Sequence, residues 1–308
     1  MSTPIQDSTS PNAPAPRARA REFPAWLKKP WPAQYDGRTH RILEDLKLNT
    51  VCQSAECPNL GECWSRGAAT FMILGESCTR ACNFCAVKTG RGESLESLSD
   101  EPWRVAQATK QLGLKHVVVT SVARDDLDDE GAAHFAKTIS ALRQFCGPEL
   151  IIEVLTPDFH AREDALRAVV AAKPDVYNHN LETIERLHGP VRPQGDYRRS
   201  LRVLETVKRL APAMTTKSGL MVGLGETREE VLQALRDLHS HGCEVLTVGQ
   251  YLRPSPEHLP VAEYVTPARF KEYEEFALAL GFKAAACGPF VRSSYQAEQV
   301  LENSKHHK

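Results

Sequence analysis

Six of the nine cysteines lie between Cys52 and Cys85, where they form two triplets of different spacing. The first triplet has the pattern C-x4-C-x5-C and consists of Cys52, Cys57 and Cys63; the second has the pattern C-x3-C-x2-C and consists of Cys78, Cys82 and Cys85. The N-terminal residues lack the apolar core of a signal peptide, so we expect a cytoplasmic protein. In a reducing compartment, closely spaced cysteines are more often metal ligands or catalytic groups than disulfides. The spacing therefore predicts two metal centres.

The second triplet offers three local thiolates, whereas a cubane four-iron cluster takes four ligands. One iron is then left without a protein ligand, and an open coordination position is what a catalytic metal needs. A structural zinc site is disfavoured, because zinc knuckles commonly carry paired C-x2-C elements. The remaining Cys146, Cys243 and Cys287 are scattered, and we interpret them as small buried core residues.

From residue 70 onward the sequence alternates apolar runs with helical patterns. The runs, which predict buried strands of a parallel sheet, are Thr70–Leu74, His116–Thr120, Leu150–Leu155, Asp175–Tyr177, Gly219–Val222 and Val245–Val248. Alternation of strand and helix implies an α/β fold with right-handed crossovers. Six units are fewer than the eight of a closed barrel, so we predict a partial (β/α)6 TIM-like barrel. A flat doubly wound sheet is the alternative.

Helix boundaries are marked by capping signals. Thr227 and Glu230 form a capping box, and Gly242 follows the apolar positions of that helix. Thr266 followed by Pro267 predicts the start of another helix.

Polar segments follow the predicted strands. They begin at Gly75, Thr120, Thr156, Asn178, Gly223 and Gln250. In parallel α/β folds the loops at the carboxyl ends of the strands build the functional site. Six such segments on one rim predict a site more strongly than any one of them, since each alone could be an ordinary turn or helix start.

Composition and charge bound the remaining possibilities. The net charge of -1 gives no support to nucleic-acid binding, and no apolar run suggests a membrane span. Residues 1–32 hold seven of the twenty prolines and predict a disordered tail. An organellar transit peptide is disfavoured, because Asp7 and the prolines oppose an amphipathic helix.

We expect four parts: the tail 1–32, a cluster-binding extension 33–69, the barrel 70–282 and a C-terminal extension 283–308.

The second triplet, with Phe84 before its last cysteine and a strand before it, resembles the radical S-adenosylmethionine superfamily. The resemblance implies that the open iron binds the amino and carboxylate groups of S-adenosylmethionine. One electron from the cluster then cleaves the sulfonium to methionine and a 5′-deoxyadenosyl radical, which abstracts a hydrogen from an unactivated carbon. In such enzymes the cofactor performs the hard chemistry and the protein orients it.

The two triplets together resemble the lipoyl synthase family. The likeness extends over about residues 35–297 and includes the segments 120–126, 178–183, 217–226, 250–255 and Arg292-Ser293-Ser294-Tyr295. It implies a sulfurtransferase with two 4Fe-4S clusters, in which Cys52, Cys57 and Cys63 hold an auxiliary cluster that is consumed as the sulfur source. The fourth auxiliary ligand is then a serine, which we assign to Ser294, with Ser293 as the less favoured choice.

The same resemblance implies the reaction and the partners. Two sulfur atoms enter an octanoyl chain at carbons six and eight, and two S-adenosylmethionine molecules are consumed. The octanoyl group is carried by a lipoyl domain of a 2-oxoacid dehydrogenase or by the glycine-cleavage H protein. An electron donor such as ferredoxin or flavodoxin and an iron–sulfur carrier protein are further expected partners.

Candidate S-adenosylmethionine ligands lie on the polar rim. Asn180 and Glu182 are assigned to the ribose hydroxyls, because an amide and a carboxylate at alternate positions can both face the site. Weaker candidates for cofactor binding are Thr120, Ser121, Lys217 and Gln250. Arg192 and Arg253 are candidates for the substrate peptide or the methionine carboxylate.

Two other functions stay open at this point. One is a different radical sulfur-inserting enzyme, similar to biotin synthase, which the C-x4-C-x5-C element disfavours. The other is a two-cluster protein for electron transfer or cluster storage, which the polar rim and the open iron disfavour.

Overall fold

The computed structural model describes residues 23–29, 37–295 and 297–306. Most of the predicted tail, residues 1–22 and 30–32, lies outside the described residues. Within the described part of the tail, Ala25–Leu27 form a single 3-10 turn. No helix of the described ranges is long and apolar enough to cross a bilayer.

One eight-stranded sheet forms the centre of the fold. Its strands are β1 (Asn49–Thr50), β2 (Thr70–Ile73), β3 (His116–Ser121), β4 (Ile151–Leu155), β5 (Val176–Asn178), β6 (Thr215–Val222), β7 (Val245–Gln250) and β8 (Ala284–Gly288). They pair in chain order, and all neighbours from β2 to β8 are parallel, whereas β1 pairs antiparallel with β2. Among the described residues the sheet does not close on itself, so the prediction of a partial barrel is confirmed.

All six predicted strands are present, and the structure adds two. The short β1 precedes the first predicted strand, and β8 lies within the predicted C-terminal extension. Part of that extension is therefore continuous with the sheet. The strands β2 to β7 are largely buried, as expected for a parallel sheet covered by helices.

Helices connect the strands and cover the sheet. They are α1 (Arg38–Asp45), α2 (Val51–Ser54), α3 (Leu60–Ser65), α4 (Glu101–Leu112), α5 (Ala132–Cys146), α6 (Glu163–Ala171), α7 (His188–Val191), α8 (Tyr197–Leu210), α9 (Arg228–Ser240), α10 (Pro267–Leu280) and α11 (Ala297–His306). Two short 3-10 turns, Phe159–Ala161 and Glu185–Leu187, lie in the connections. One apolar cluster packs α4, α5 and α6 against β2 to β5, and a second packs α9 and α10 against β6 and β7.

The predicted capping signals are confirmed. Thr227 accepts a hydrogen bond from the backbone N–H of Glu230, and the Glu230 carboxylate accepts one from the N–H of Thr227 in return. Thr266 caps α10 and the left-handed Gly281 ends it. These local devices set where the helices begin, and so where the preceding loops can face the site.

Thr227→Ala should lower the free energy of unfolding by about 1 kcal/mol, because the substitution leaves N–H groups of the first turn of α9 unpaired. The melting temperature should fall by roughly 2 to 4 °C for a chain of this size class. Thr266→Ala is the matched comparison, since its cap lacks the reciprocal carboxylate, and it should cost less. An equal or larger loss for Thr266→Ala would contradict a contribution from the capping box.

Candidate functional site

A cavity of about 440 Å³ opens at the carboxyl ends of the strands. Its wall takes residues from β2, β3, β4, β6 and β7, from the loops after β2 to β5 and after β7, from the segment around α2, and from the turn after β8. The predicted polar segment after β6, which begins at Gly223, does not line it. Five of the six triplet cysteines line it, namely Cys52, Cys57, Cys78, Cys82 and Cys85. The two triplets, which are distinct in sequence, therefore face one space.

The loop that carries the second triplet leaves β2 through a left-handed turn. Leu74 has φ 69° and Gly75 has φ 90°, and the buried Glu101 accepts a hydrogen bond from the Leu74 N–H at 2.8 Å. Two backbone N–H groups point at the sulfur of Cys78, from Arg80 at 3.4 Å and from Ala123 at 3.3 Å. Hydrogen bonds to ligand sulfurs are among the features that tune iron–sulfur clusters. The Cys78 environment thus fits a cluster thiolate.

Arg80, between the first two cysteines of this triplet, fixes the loop to two neighbouring strand ends. Its guanidinium donates to Asp125 after β3 and, at 2.7 Å, to Asp158 after β4. Asp158 is fully buried and also accepts from Arg199 at 2.9 Å. Burial would raise the pKa of the Asp158 carboxyl, but the hydrogen bonds and charge of Arg80 outweigh it and hold that pKa well below its usual value. The loop is therefore held in place by a charged network that does not use the cysteines.

The other end of the same loop is held by the segment after β7. His258 donates from Nε2 to the carbonyl of Cys85 at 3.0 Å, and Ser255 lies 2.8 Å from the second ring nitrogen. The N–H of Leu259 donates to the carbonyl of Asn83 at 3.1 Å. Arg253, a candidate for substrate contact, donates from Nε to the carbonyl of His258 at 2.8 Å. Part of its guanidinium is thus used to shape this segment.

The first triplet is carried by α2, α3 and the turn between them. Thr50 caps α2, which places Cys52 in a buried position, and the Cys57 N–H donates to the Cys52 carbonyl at 3.1 Å. Cys63 lies on α3 and packs against the core. It is the one triplet cysteine outside the cavity wall. Its thiol is nevertheless close enough for charges on Cys52 and Cys57 to raise its pKa, after burial as the main cause.

The turn after β8 brings the serines to the same cavity. Ser293 and Ser294 both line it. The turn is attached to the first-triplet segment, because Asn59 donates to the Phe290 carbonyl at 2.7 Å and the Tyr295 hydroxyl lies 3.0 Å from Glu62 on α3. Residues more than two hundred positions apart in the chain thus form one wall.

Both predicted ribose ligands, Asn180 and Glu182, line the cavity. Glu182 adopts φ 70° and its N–H donates to the Gly219 carbonyl at 3.0 Å, which directs this residue from the end of β5 toward β6. Burial raises the pKa of the Glu182 carboxyl, and Arg192 opposes the rise. Arg192 also lines the cavity, and its guanidinium donates to the Asn180 carbonyl at 3.2 Å. The side chain of Asn180 is hydrogen-bonded to Ser293.

Three of the four weaker candidates line the cavity. Thr120 and Ser121 line the cavity at the end of β3, although the Thr120 hydroxyl donates to the Leu155 carbonyl at 2.7 Å. Gln250 also lines it, but its amide is occupied, since it donates to the Glu263 carbonyl and accepts from the Val265 N–H.

Lys217 is the one predicted cofactor residue that the structure places away from the cavity. Its ammonium is 1% exposed and pairs with Glu153 at 2.9 Å beneath the cavity floor. An ammonium paired with Glu153 away from the cavity wall is not placed to contact a cofactor there.

The thiols of both triplets fit a metal that supplies positive charge. Burial raises the pKa of the Cys63 and Cys85 thiols to about 12 each, and it also raises the pKa of Cys52 and Cys82. Such groups become thiolates only beside a cation, and iron ions provide that charge. Sulfur donors in two groups of three, five of them on one cavity wall and Cys63 close behind it, match two iron–sulfur clusters.

Three contributors to the site were not predicted from the sequence. They are Arg80, His258 and the buried His179, which lines the cavity and donates from Nδ1 to the Thr156 carbonyl at 2.9 Å. An arginine between two ligand cysteines was a usable signal for Arg80. His258 had none, because its partner is a backbone carbonyl, which no sequence pattern marks.

Comparisons with known proteins agree with this geometry. The family model described as Radical SAM superfamily matches residues 72–238. The chain is 56% identical over 278 residues to a lipoyl synthase of Caldanaerobacter subterraneus, covering 90% of this chain and 96% of that protein. It is 49% identical to the lipoyl synthase of Rubrobacter xylanophilus, covering 96% and 95% of the two chains. The lipoyl synthase of Thermus thermophilus is 51% identical, with 91% and 87% covered.

Solved structures support the fold alone. A methylornithine synthase aligns with a TM-score of 0.52 at 15% identity, covering 68% of this chain and 61% of that chain. A maturase of the [FeFe]-hydrogenase aligns with a TM-score of 0.57 at 15% identity, covering 75% and 53%.

Proposed function

The chain belongs to the radical S-adenosylmethionine superfamily and, within it, to the lipoyl synthases. On that basis we propose which residues of its cavity serve each part of the lipoyl synthase reaction. The enzyme is a sulfurtransferase that inserts two sulfur atoms, at carbons six and eight, into a protein-bound octanoyl group to give the lipoyl cofactor. The observation that carries this proposal is that cysteines of both triplets, five of the six, line one cavity. Sulfur insertion needs the hydrogen-abstracting centre and the sulfur source on either side of a single substrate chain.

The two triplets have different roles in this proposal. Cys78, Cys82 and Cys85 would hold the 4Fe-4S cluster that serves S-adenosylmethionine, and Cys52, Cys57 and Cys63 would hold the auxiliary cluster. When bound, these groups supply one-electron cleavage of the sulfonium and the sulfur to be transferred. A radical route suits the substrate, since neither target carbon has a proton acidic enough for a general base.

Ser294 is the proposed fourth ligand of the auxiliary cluster. Its neighbour Ser293 already has its hydroxyl engaged by Asn180, which leaves Ser294 as the hydroxyl available on the cavity wall. An oxygen ligand is less well matched to iron in such a cluster than thiolate is. A weaker fourth ligand suits a cluster that has to come apart during the reaction.

S-adenosylmethionine is proposed to lie against the ends of β3, β5 and β6. Glu182 and Asn180 would contact the ribose, and Thr120 and Ser121 line the same cavity at the end of β3. Arg192 supplies a positive charge beside Glu182. Gln250 shapes the wall through its own hydrogen bonds.

The substrate and partners follow from the reaction. The octanoyl chain is presented on a carrier protein, either a lipoyl domain of a 2-oxoacid dehydrogenase or the glycine-cleavage H protein. A reductant such as ferredoxin or flavodoxin supplies electrons, and an iron–sulfur carrier protein rebuilds the auxiliary cluster. We propose that the reaction takes place in the cytoplasm, because cysteines must stay reduced in order to bind iron and the cytoplasm is a reducing compartment.

A direct test combines reconstituted protein, S-adenosylmethionine, dithionite and a peptide with an octanoylated lysine. We expect 5′-deoxyadenosine and a dithiolated octanoyl product, with two S-adenosylmethionine molecules consumed per product. The same peptide with an unmodified lysine is the control and should give no thiolated product. Absence of 5′-deoxyadenosine would overturn both the lipoyl synthase and the biotin synthase-like alternatives. Its formation without thiolated peptide would overturn the lipoyl synthase activity alone.

A further inference from the structure

A reciprocal hydrogen bond joins the two halves of the cavity. Asn180 follows β5, and Ser293 lies in the turn after β8, 113 residues further along the chain. The Asn180 amide donates from Nδ2 to Ser293 Oγ at 2.7 Å, and Ser293 Oγ donates back to Asn180 Oδ1 at 2.9 Å. Ser293 precedes the proposed iron ligand Ser294 directly. This pair is therefore a connection between the S-adenosylmethionine side and the auxiliary-cluster side of the cavity.

The backbone beneath the pair leaves room for it. A Cβ at Gly219 on β6 would lie 2.9 Å from Asn180 Oδ1 and 3.1 Å from Ser293 Oγ. A Cβ at Gly249, on the neighbouring β7, would lie 2.1 Å from the carbonyl oxygen of Val291. Contacts of that length are too close for a side chain. The turn that carries Ser293 and Ser294 thus packs on two glycines, Gly219 and Gly249, and can therefore reach into the mouth of the barrel.

Among the described residues, few other side-chain hydrogen bonds connect this turn to the barrel. The Arg292 guanidinium donates to the carbonyl of Val291, within the turn itself. Asn59 and Glu62 hold the flanking Phe290 and Tyr295 to the first-triplet segment. In the described residues, the bond from Ser293 to Asn180 is the side-chain hydrogen bond that fixes the middle of the turn to a strand end.

We propose that Asn180 is a positioning residue for the serine ligand of the auxiliary cluster, acting through Ser293. The proposal rests on the two-cluster function given above and adds a second role to a residue assigned there to the ribose. A consequence is energetic coupling between the sites. A ligand that draws the Asn180 amide away from Ser293 loosens the turn that carries Ser294. By linkage, a turn that is held firmly lowers the affinity of that ligand for the protein.

The experiment isolates the auxiliary cluster. The parent is the full chain with Cys78→Ala, Cys82→Ala and Cys85→Ala, reconstituted so that only the first triplet can hold a cluster. Asn180→Leu and Ser293→Ala are added singly and together, and Ser240→Ala, on the exposed end of α9, is the control. Iron content, the electron paramagnetic resonance spectrum of the reduced cluster and the rate of iron release to a chelator are measured. Melting temperatures identify any variant that fails to fold.

We expect each single variant to release iron roughly 2- to 12-fold faster than the parent, as the loss of about one hydrogen bond implies. The double variant should release iron no faster than either single one, because both remove the same contact. Ser294→Ala should alter the spectrum of the cluster outright. Ser240→Ala should match the parent.

The outcomes separate this inference from the function on which it rests. Unchanged release in Ser293→Ala, with a normal cluster in the parent, would overturn the inference alone. Additive effects of Asn180→Leu and Ser293→Ala would also overturn it, since they would show independent roles. A parent that assembles no cluster would overturn the two-cluster function and the inference together. If Asn180→Leu fails to fold, the smaller Ser293→Ala change decides the matter.

Discussion

Cys78→Ala is expected to reduce both S-adenosylmethionine cleavage and sulfur insertion to the level of a protein-free control. Cys78 is a proposed cluster ligand, and its sulfur accepts hydrogen bonds from the backbone N–H groups of Arg80 and Ala123. Without it the second triplet offers only two thiolates, too few to hold a cubane cluster with one open iron. Production of 5′-deoxyadenosine and of thiolated octanoyl peptide, measured by mass spectrometry under reducing conditions, checks this result.

Cys52→Ala should separate the two activities. Cleavage of S-adenosylmethionine should continue, because the second triplet is intact, whereas thiolated peptide should fall to background. Cys146→Ala is the matched control, since that partly buried thiol donates to the Ala106 carbonyl and lies away from the cavity. It should retain both activities. Equal loss of cleavage in Cys52→Ala and Cys78→Ala would contradict the proposed division between the triplets.

Lys217→Met should lower the free energy of unfolding by about 3 to 5 kcal/mol, the usual cost of leaving a buried charge without its partner. The Lys217 ammonium is the main positive charge beside the buried Glu153, which also accepts from Asn178 at 2.9 Å. Thermal or urea unfolding of the cluster-free chain measures the loss. Lys283→Met, which removes an exposed partner of Glu244, is the control and should cost well under 1 kcal/mol.

The pH dependence of the same pair gives a second measurement. Burial would raise the pKa of Glu153, but Lys217 and His116 outweigh it and hold the pKa below its ordinary value of 4.5. The folded state thus binds the Glu153 proton less tightly than the unfolded state does. The stability contributed by the carboxylate is present above about pH 4.5 and is lost as pH falls from there through the lowered pKa. If the free energy of unfolding of Lys217→Met varied with pH in this range just as that of the unsubstituted protein does, the ionisation of Glu153 would not depend on Lys217.

The six central strands and the caps of α9 and α10 could be predicted because their signals are local. Buried parallel strands are continuous apolar runs, and a cap needs only residues within one helical turn. The two unpredicted strands lack such signals. β8 consists of Ala284-Ala285-Ala286-Cys287-Gly288, whose small side chains give no apolar run, and β1 has two residues.

Candidate residues on the rim were predicted by position, and the structure places one of them, Lys217, away from the cavity wall. The residue precedes a polar segment at the end of β6, but it lies five residues before the last residue of that strand, Val222. Its side chain therefore lies below the cavity, beside Glu153. The end of β6 was predicted correctly at Val222, but the strand begins at Thr215 and not at Gly219. Residues 215–218 have polar side chains and form no apolar run, so the sequence did not place Lys217 inside the strand.

The sequence by itself determined the two triplets, their unequal spacing and the alternation of strands with helices, because each depends on residues close together in the chain. Only the tertiary structure decided that cysteines of both triplets line one cavity, that Arg80 joins two strand ends, and that Asn180 holds Ser293. Those contacts join residues 78 and 113 positions apart. Their partners are chosen by the packing of the whole sheet, and no local pattern records that choice.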